Sequence, residues 1–192
     1  MRTSASRPLA IATVTAGVVL FAASPSLAGA DTVRSDGPLV RMASSDLLPE
    51  TASARVRAVY NAAGDTFVTL HLRGMKPEHT YGAHAHVGEC GLLGSKAGPH
   101  FQQVPFPAGS AATDPLYANP ANEIWLDVTT NAAGNGSSLA KQAWQFAPGT
   151  GAKSVIIHEK RTGTGAADPL TGEVKEPAGT AGTRLACVDV SF

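Results

Sequence analysis

The chain has 192 residues, with 15 basic and 15 acidic side chains and a formal net charge of zero. Residues 1–30 contain two arginines and no acidic residue, so the rest of the chain has 13 basic against 15 acidic side chains, a net charge of −2. This balance argues against nucleic acid and anionic membranes as partners. The length suffices for one domain with a hydrophobic core.

The N-terminus has the organisation of a secretory signal peptide. Arg2 and Arg7 precede a mostly apolar stretch at residues 9–23, and small residues then offer cleavage after Ala28 or Ala30. The apolar stretch is short for a transmembrane helix, which makes a membrane anchor the less favoured alternative. We therefore predict that residues 1–30 are removed and that the mature protein is secreted, to the extracellular space or the cell envelope, without membrane insertion.

Residues 51–192 have the pattern of one β-domain, preceded at 31–50 by a polar segment that we expect to be a flexible or loosely docked arm. Alternating residues predict a first strand near 56–60 and a second near 68–73. Further strands are expected at 80–88, 124–130, 139–146, 153–160 and 184–192. Short strands separated by Gly and Asn turns, with no helical period, predict an all-β sandwich or barrel.

Two connections are far longer than ordinary turns. They cover about 89–121 and 161–183 and are rich in Gly and Pro, and loops of this length are usually functional or disordered. The chain also has two cysteines, Cys90 and Cys187. In an exported protein an even pair indicates one disulfide, and two free buried thiols are the alternative.

Four of the six histidines lie where a metal site is conceivable. His84 and His86 occupy positions i and i+2 of a predicted strand, so both imidazoles project from one face. His100 lies in the first long loop, and His158 ends an apolar strand. Imidazole clusters suit Cu(II), Zn(II) or Ni(II), whereas on spacing alone a surface pair is an equal alternative. The other two histidines are expected to be solvated: His71 and His79.

Four segments resemble the metal-site motifs of copper/zinc superoxide dismutases. They are residues 82–90 (GAHAHVGEC), 97–101 (AGPHF), 155–160 (VIIHEK) and 179–187 (GTAGTRLAC). They occur in the family's order and with roughly its spacing, over residues 80–192. The resemblance implies a Greek-key β-barrel or sandwich of seven or eight antiparallel strands with two long functional loops.

The same resemblance implies a site that binds one copper ion. The implied ligands are His84, His86, His100 and His158. Copper would alternate between Cu(II) and Cu(I) while superoxide is converted to oxygen and hydrogen peroxide, and His100 would donate a proton. Arg184 would attract superoxide as a fixed positive charge. The resemblance also pairs Cys90 with Cys187.

Most of the family's zinc site is missing. Between His100 and Ile124 there is no histidine, and Glu123 stands where the family has its aspartate ligand. Structural zinc needs four ligands, so the chain resembles a copper-only branch without zinc. A metal-bound imidazole donates its second nitrogen to a partner. Glu123 or Asp114 is expected to orient His100, although each could equally be a surface carboxylate.

Two functions therefore stay open. The first is a secreted copper-dependent superoxide dismutase. The second is a non-catalytic extracellular copper-binding β-domain of the same fold, because loss of zinc would leave the metal loop less ordered. A β-domain without metal leaves four histidines and an arginine in register unexplained. Nothing in the sequence indicates an oligomeric state.

Overall fold

The computed structural model describes residues 31–35, 39–147 and 149–192, so the signal peptide predicted for 1–30 lies outside the described residues. Ten strands cross the described part of the chain: β1 (Asp31–Ser35), β2 (Val40–Arg41), β3 (Ser53–Tyr60), β4 (Thr66–Arg73), β5 (Thr80–Tyr81), β6 (Ala83–His86), β7 (Val128–Thr129), β8 (Gly136–Gln142), β9 (Ser154–His158) and β10 (Arg184–Asp189). A single 3₁₀ turn, Gly94–Ala97, lies among them. Within these ranges no helix has the length and apolar character needed to cross a membrane.

The strands form two four-stranded sheets and one two-stranded sheet. One large sheet has the order β1-β3-β4-β8, the other β2-β10-β9-β6, and β5 pairs with β7. All these pairings are antiparallel, and strands distant in sequence are neighbours in both large sheets. The prediction of an all-β antiparallel sandwich is confirmed.

The hydrophobic core lies between the two large sheets, and this decides where the histidines point. One contiguous cluster joins alternate residues of both sheets: Val56, Ala58, Val68, Leu70, Ala83, Ala85, Val155, Ile157, Ala186 and Val188. Because successive side chains of a strand project to opposite faces, Ala83 and Ala85 turn His84 and His86 away from this core. The histidines are nevertheless buried, because the long loops cover that outer face.

The segment expected to be a flexible or loosely docked arm, 31–50, contributes a strand to each of the two large sheets. β1 pairs with β3 over five residues, and β2 pairs with β10. Leu48 is buried in the core, and the Tyr81 hydroxyl donates a hydrogen bond to the Leu47 carbonyl at 2.5 Å. The segment is held because β3 and β10 offer it free sheet edges, whose unpaired backbone groups favour a further strand.

The strand count exceeds the expected seven or eight for local reasons. Two of the extra strands are β1 and β2, and the third arises because the strand predicted at 80–88 is divided at Gly82. A Cβ at Gly82 would lie 2.5 Å from the Lys160 carbonyl oxygen, so only glycine permits this close backbone approach. The strand predicted at 124–130 is reduced to β7 plus isolated bridges of Glu123 to Gln102 and of Trp125 to His84.

Candidate metal centre

The outer face of the β9–β6 pair carries a cluster of four imidazoles. β6 supplies His84 and His86, and β9, paired beside it, ends at His158. His100 arrives from the first long loop through an isolated backbone bridge to His86. One candidate ligand atom from each residue lies within 4.8 Å of the others. The structure therefore brings all four histidines of the expected ligand set together.

The rings are packed closely around a common point. The ring centroids of His84 and His100 are 4.1 Å apart, and those of His86 and His100 are 4.8 Å apart. His84 and His158 are separated by 4.9 Å. His84 and His86 are 0% exposed and His158 is 4% exposed. The cluster is thus an enclosed site rather than a group of surface histidines.

In each of the three most buried imidazoles, one nitrogen is hydrogen-bonded and the other is unpartnered. His86 Nδ1 donates to the Gly98 carbonyl at 3.0 Å, and His158 Nδ1 donates to the Gly182 carbonyl at 3.4 Å. The buried nitrogens without a partner are His84 Nδ1, His86 Nε2 and His158 Nε2. A buried unpaired polar atom is destabilising, and an ion bound between these atoms would satisfy all three. The residues therefore fit a metal ion.

The electrostatics keep these imidazoles in the form that binds metals. Burial is the main cause that lowers the pKa of His86 to about 2 and of His158 to about 4, and the nearby Arg184 charge acts in the same direction. Burial also holds the pKa of His84 well below its ordinary value. Neutral imidazole is the ligand form, so no proton has to leave these three residues at neutral pH when a metal binds.

Glu123 orients His100. Its side chain is 1% exposed, and His100 Nδ1 lies 2.7 Å from its Oε2. Trp125 Nε1 donates to the same oxygen, and Gln102 Nε2 donates to Oε1, both at 2.7 Å. An ionised carboxylate only accepts hydrogen bonds, so His100 keeps its proton on Nδ1, and Nε2 is left for a metal.

Asp114, the other carboxylate expected to orient His100, does not do so. Its Oδ1 accepts a hydrogen bond from the Leu116 backbone N–H at 3.0 Å, within the turn that Asp114 itself begins. Short Asp side chains commonly bond the backbone two residues on. Asp114 is a turn residue for this local reason.

The second ring nitrogen of His100 is bonded to a carboxylate. Within the part of the chain that the structure describes, the four histidines are the one cluster of metal-ligating side chains found. The single carboxylate beside His100 already accepts three side-chain hydrogen bonds. This carboxylate, Glu123, therefore holds His100 through Nδ1.

A further pair of residues, which the sequence analysis missed, orients His84. Thr162 Oγ1 lies 2.8 Å from His84 Nε2 and is hydrogen-bonded to Asp127 Oδ1. The Thr162 backbone N–H donates to the other Asp127 oxygen at 2.9 Å. The Thr162 hydroxyl has one proton, which it donates in the hydrogen bond to the Asp127 carboxylate. Thr162 Oγ1 therefore accepts the hydrogen bond from His84 Nε2. This direction fixes the proton on His84 Nε2 and frees Nδ1, the unpartnered atom.

A sequence signal for Asp127 was present. Ile124, Leu126 and Val128 are fully buried in the core. Because side chains alternate, the intervening residues Glu123, Trp125 and Asp127 share the opposite face, towards the histidines. The face towards the histidines can be identified in the sequence because polar or aromatic residues there alternate with the buried apolar residues. Thr162 has no comparable signal, since it lies 78 residues from His84.

Replacing Thr162 with valine tests this chain of hydrogen bonds. Valine keeps the shape but cannot accept from His84 Nε2, so the imidazole loses its fixed tautomer. We expect the affinity for a bound metal ion to fall about 10- to 100-fold, the usual effect of removing such a partner. Competition against a chelator measures this affinity. The matched control is Thr164→Val, an exposed threonine of the same loop, which should leave affinity unchanged; equal affinities in both variants would refute the assignment.

Arg184 lies at the rim of the cluster and is fixed by the first long loop. Its Nη1 donates to the Gly94 carbonyl at 2.5 Å, and its Nη2 donates to the Gly98 carbonyl at 2.9 Å, the oxygen that also accepts from His86. Partial burial lowers the Arg184 pKa, but an arginine stays charged at neutral pH. An irregularity in the strand register between Arg184 and Ala186 changes the direction of the strand end that carries Arg184.

A cavity opens beside Arg184 and His100. Its volume is about 510 Å³, and its walls include Phe101, Phe106 and Glu123. Of the four clustered histidines, only His100 borders it. The arrangement places one fixed positive charge and one partly exposed imidazole at the entrance of an otherwise enclosed site.

The expected disulfide between Cys90 and Cys187 is present. It joins the loop that carries Gly94 and Gly98 to β10, three residues after Arg184. Both cysteines are buried with Ala97 and Ile156 in a small second core. The disulfide therefore fastens the carbonyls that hold Arg184 to the strand that supplies it. Disulfides are typical of proteins in oxidising, exported compartments.

The chain matches no protein-family profile and no curated protein. Its fold does match solved structures. One of them, described as the crystal structure of the clock protein EA4, is 16% identical in sequence with a TM-score of 0.56, over 89% of this chain and 99% of that chain. At this identity the similarity concerns the fold alone.

Proposed function

We propose that this chain is a secreted copper-dependent superoxide dismutase that uses one copper ion and no zinc. The observation that carries the proposal is the set of three buried, unpartnered imidazole nitrogens, on His84, His86 and His158, in one cluster with His100. An all-imidazole site suits copper. The four motifs that resemble copper/zinc superoxide dismutases supply these same histidines and Arg184, which gives the proposed reaction.

The proposed roles of the side chains follow from their contacts. Copper bound by the four histidines would supply one-electron redox chemistry, accepting an electron from one superoxide and giving it to the next. The Arg184 guanidinium, at the rim, attracts the anion. Glu123 keeps His100 Nδ1 protonated and the ring in place. His100, which borders the cavity, is the residue that we propose passes a proton taken up from solvent to the reduced oxygen species.

Replacing Arg184 with alanine tests the proposed function. We expect superoxide turnover at low salt to fall about tenfold or more, within the range of electrostatic steering effects, while copper affinity changes little. Arg184→Lys should lie between, because it keeps the charge without the planar fork. Raising ionic strength should slow the unmodified protein more than the alanine variant, since salt screens steering charges. A superoxide assay on copper-loaded protein measures all three effects.

The controls separate steering from ligation and from net charge. Lys175→Ala removes the same charge from an exposed position in the second long loop and should leave turnover unchanged. His158→Ala should remove copper affinity and activity together. If copper-loaded protein holds the metal but has no superoxide activity, the non-catalytic copper-binding domain is the better account. If Arg184→Ala keeps full turnover at low salt, the role of Arg184 is wrong.

A further inference from the structure

The sheet on the far side of the core from the imidazole cluster has a strongly basic outer face. The outward, exposed positions of β1, β3 and β4 include four arginines and a histidine, which we call the basic band: Arg34, Arg55, Arg57, Arg73 and His71. Within the described strands of this sheet, strand alternation places no aspartate or glutamate on the face that carries these residues. The band uses none of the residues assigned to the metal centre.

The strand register places these side chains beside one another. Arg34 lies directly opposite Arg57, and Arg55 lies directly opposite His71. Arg73 lies one pleat further along β4, opposite Ser53. Neighbouring strands are about 5 Å apart, and alternate residues along a strand are about 7 Å apart. Several positive groups are thus spaced at intervals of about 5–7 Å along the sheet.

The surface between the side chains is concave. Arg34, Arg55, Arg57 and His71 border a hollow of about 320 Å³. A second hollow, of about 250 Å³, is bordered by Arg55, His71 and Arg73 together with Ser53 and Ala54. The two hollows meet at Arg55 and His71. Because they share these two residues, the hollows lie side by side along the band.

The residue type favours an oxyanion ligand. The guanidinium group presents a planar fork that binds carboxylate, sulfate and phosphate groups through two parallel hydrogen bonds. Like charges directly opposite on neighbouring strands, such as Arg34 and Arg57, are destabilising. An anionic group bound between them would remove this repulsion, so the band is more stable with an anion bound than without.

The charge of the rest of the molecule indicates the shape of the ligand. Residues 31–192 have 13 basic and 15 acidic side chains, so removing the four arginines of the band leaves nine basic against 15 acidic. An extended anionic surface such as a membrane would also approach the rest of the molecule, whose net negative charge repels it. A linear chain can contact the band alone. The disulfide indicates an exported protein. We propose that the basic band binds an extracellular anionic polysaccharide through its carboxylate or sulfate groups.

A paired-variant experiment tests the proposal on the mature, copper-loaded protein. Binding to immobilised heparin and to alginate is measured as a function of salt for the unmodified protein, for Arg57→Gln/Arg73→Gln and for Lys160→Gln/Lys175→Gln. The second double variant removes the same charge from exposed lysines outside the band. We expect the band variant alone to lose binding, with the slope of log affinity against log salt reduced by about two. Superoxide activity and the disulfide should be unchanged in both variants, which separates this result from the proposed function.

Three outcomes would overturn the proposal. Equal binding by the two double variants would mean that net charge, not the band, is responsible. Tighter binding to phosphatidylserine vesicles than to either polysaccharide would assign the band to a membrane surface, and tighter binding to single-stranded DNA would assign it to nucleic acid. Retention of the unmodified protein by heparin or alginate at physiological salt, with loss only in the band variant, supports it.

Discussion

Glu123→Gln should lower copper affinity about 10- to 100-fold, the range expected when the hydrogen-bond partner of a metal-bound imidazole is removed. Glu123 accepts from three donors, on His100, Gln102 and Trp125. Glutamine has the same length, but its amide nitrogen donates hydrogen bonds. In the place of a carboxylate oxygen it would face another hydrogen-bond donor. We expect His100 to lose its fixed orientation and superoxide activity to fall with copper affinity. Chelator competition and a superoxide assay measure the two effects.

Asp114→Asn is the matched control for that variant. Asp114 is the other carboxylate expected near His100, and its side chain accepts a hydrogen bond from the backbone of its own turn. The change removes one negative charge, as Glu123→Gln does, and asparagine also forms such turns. We expect copper affinity and activity to be unchanged. If the two variants had the same effect, general electrostatics rather than the Glu123 contact would explain the loss.

Removing the disulfide should have the largest effect on stability. Cys90 and Cys187 are separated by 97 residues, and the chain-entropy model gives about 4–5 kcal/mol for closing a loop of that length. Cys90→Ala/Cys187→Ala should therefore lower the free energy of unfolding by about 2–5 kcal/mol. Urea denaturation of the mature protein, with and without the substitutions, measures the difference.

The disulfide variant should also affect Arg184 more than the copper ligands. The loop that it releases supplies both carbonyls that hold the guanidinium, on Gly94 and Gly98. β6 and β9 still hold His84, His86 and His158 through their own backbone pairing. We therefore expect turnover to fall further than copper affinity in the folded fraction. An unfolding free energy within about 1 kcal/mol of the unmodified value would contradict the stabilising role.

The sequence predicts the parts of this fold that depend on alternation. Alternate residues of β3 from Ala54 to Ala58, and of β4 from Val68 to Leu72, are apolar and buried, so the existence and inward faces of both strands follow from period two. β1 and β2 have no such pattern. Their place depends on the free edges of β3 and β10, which no local property of residues 31–50 reveals. The division of one predicted strand at Gly82 likewise depends on Lys160, far along the chain.

The residues of the candidate site also divide into those that a local pattern predicts and those that only distant contacts bring together. His84 and His86 share a face by strand geometry alone, but their meeting with His100 and His158 was expected only from the resemblance of the motifs. Glu123 was expected beside His100 and lies there. The same prediction for Asp114 was wrong, because its side chain is bonded within its own turn. The Thr162–Asp127 pair was missed because its hydrogen bonds join residues 35 and 78 positions apart.

Metal analysis of the exported, mature protein tests the central claim most directly. Three unpartnered imidazole nitrogens in one cluster with His100, and a carboxylate bonded to His100 Nδ1, predict one copper and no stoichiometric zinc per chain after exposure to both ions and mild chelation. His158→Ala should lose the copper, and His71→Ala, an exposed histidine of β4, should keep it. One firmly held zinc per chain, or copper retained equally by both variants, would contradict the account.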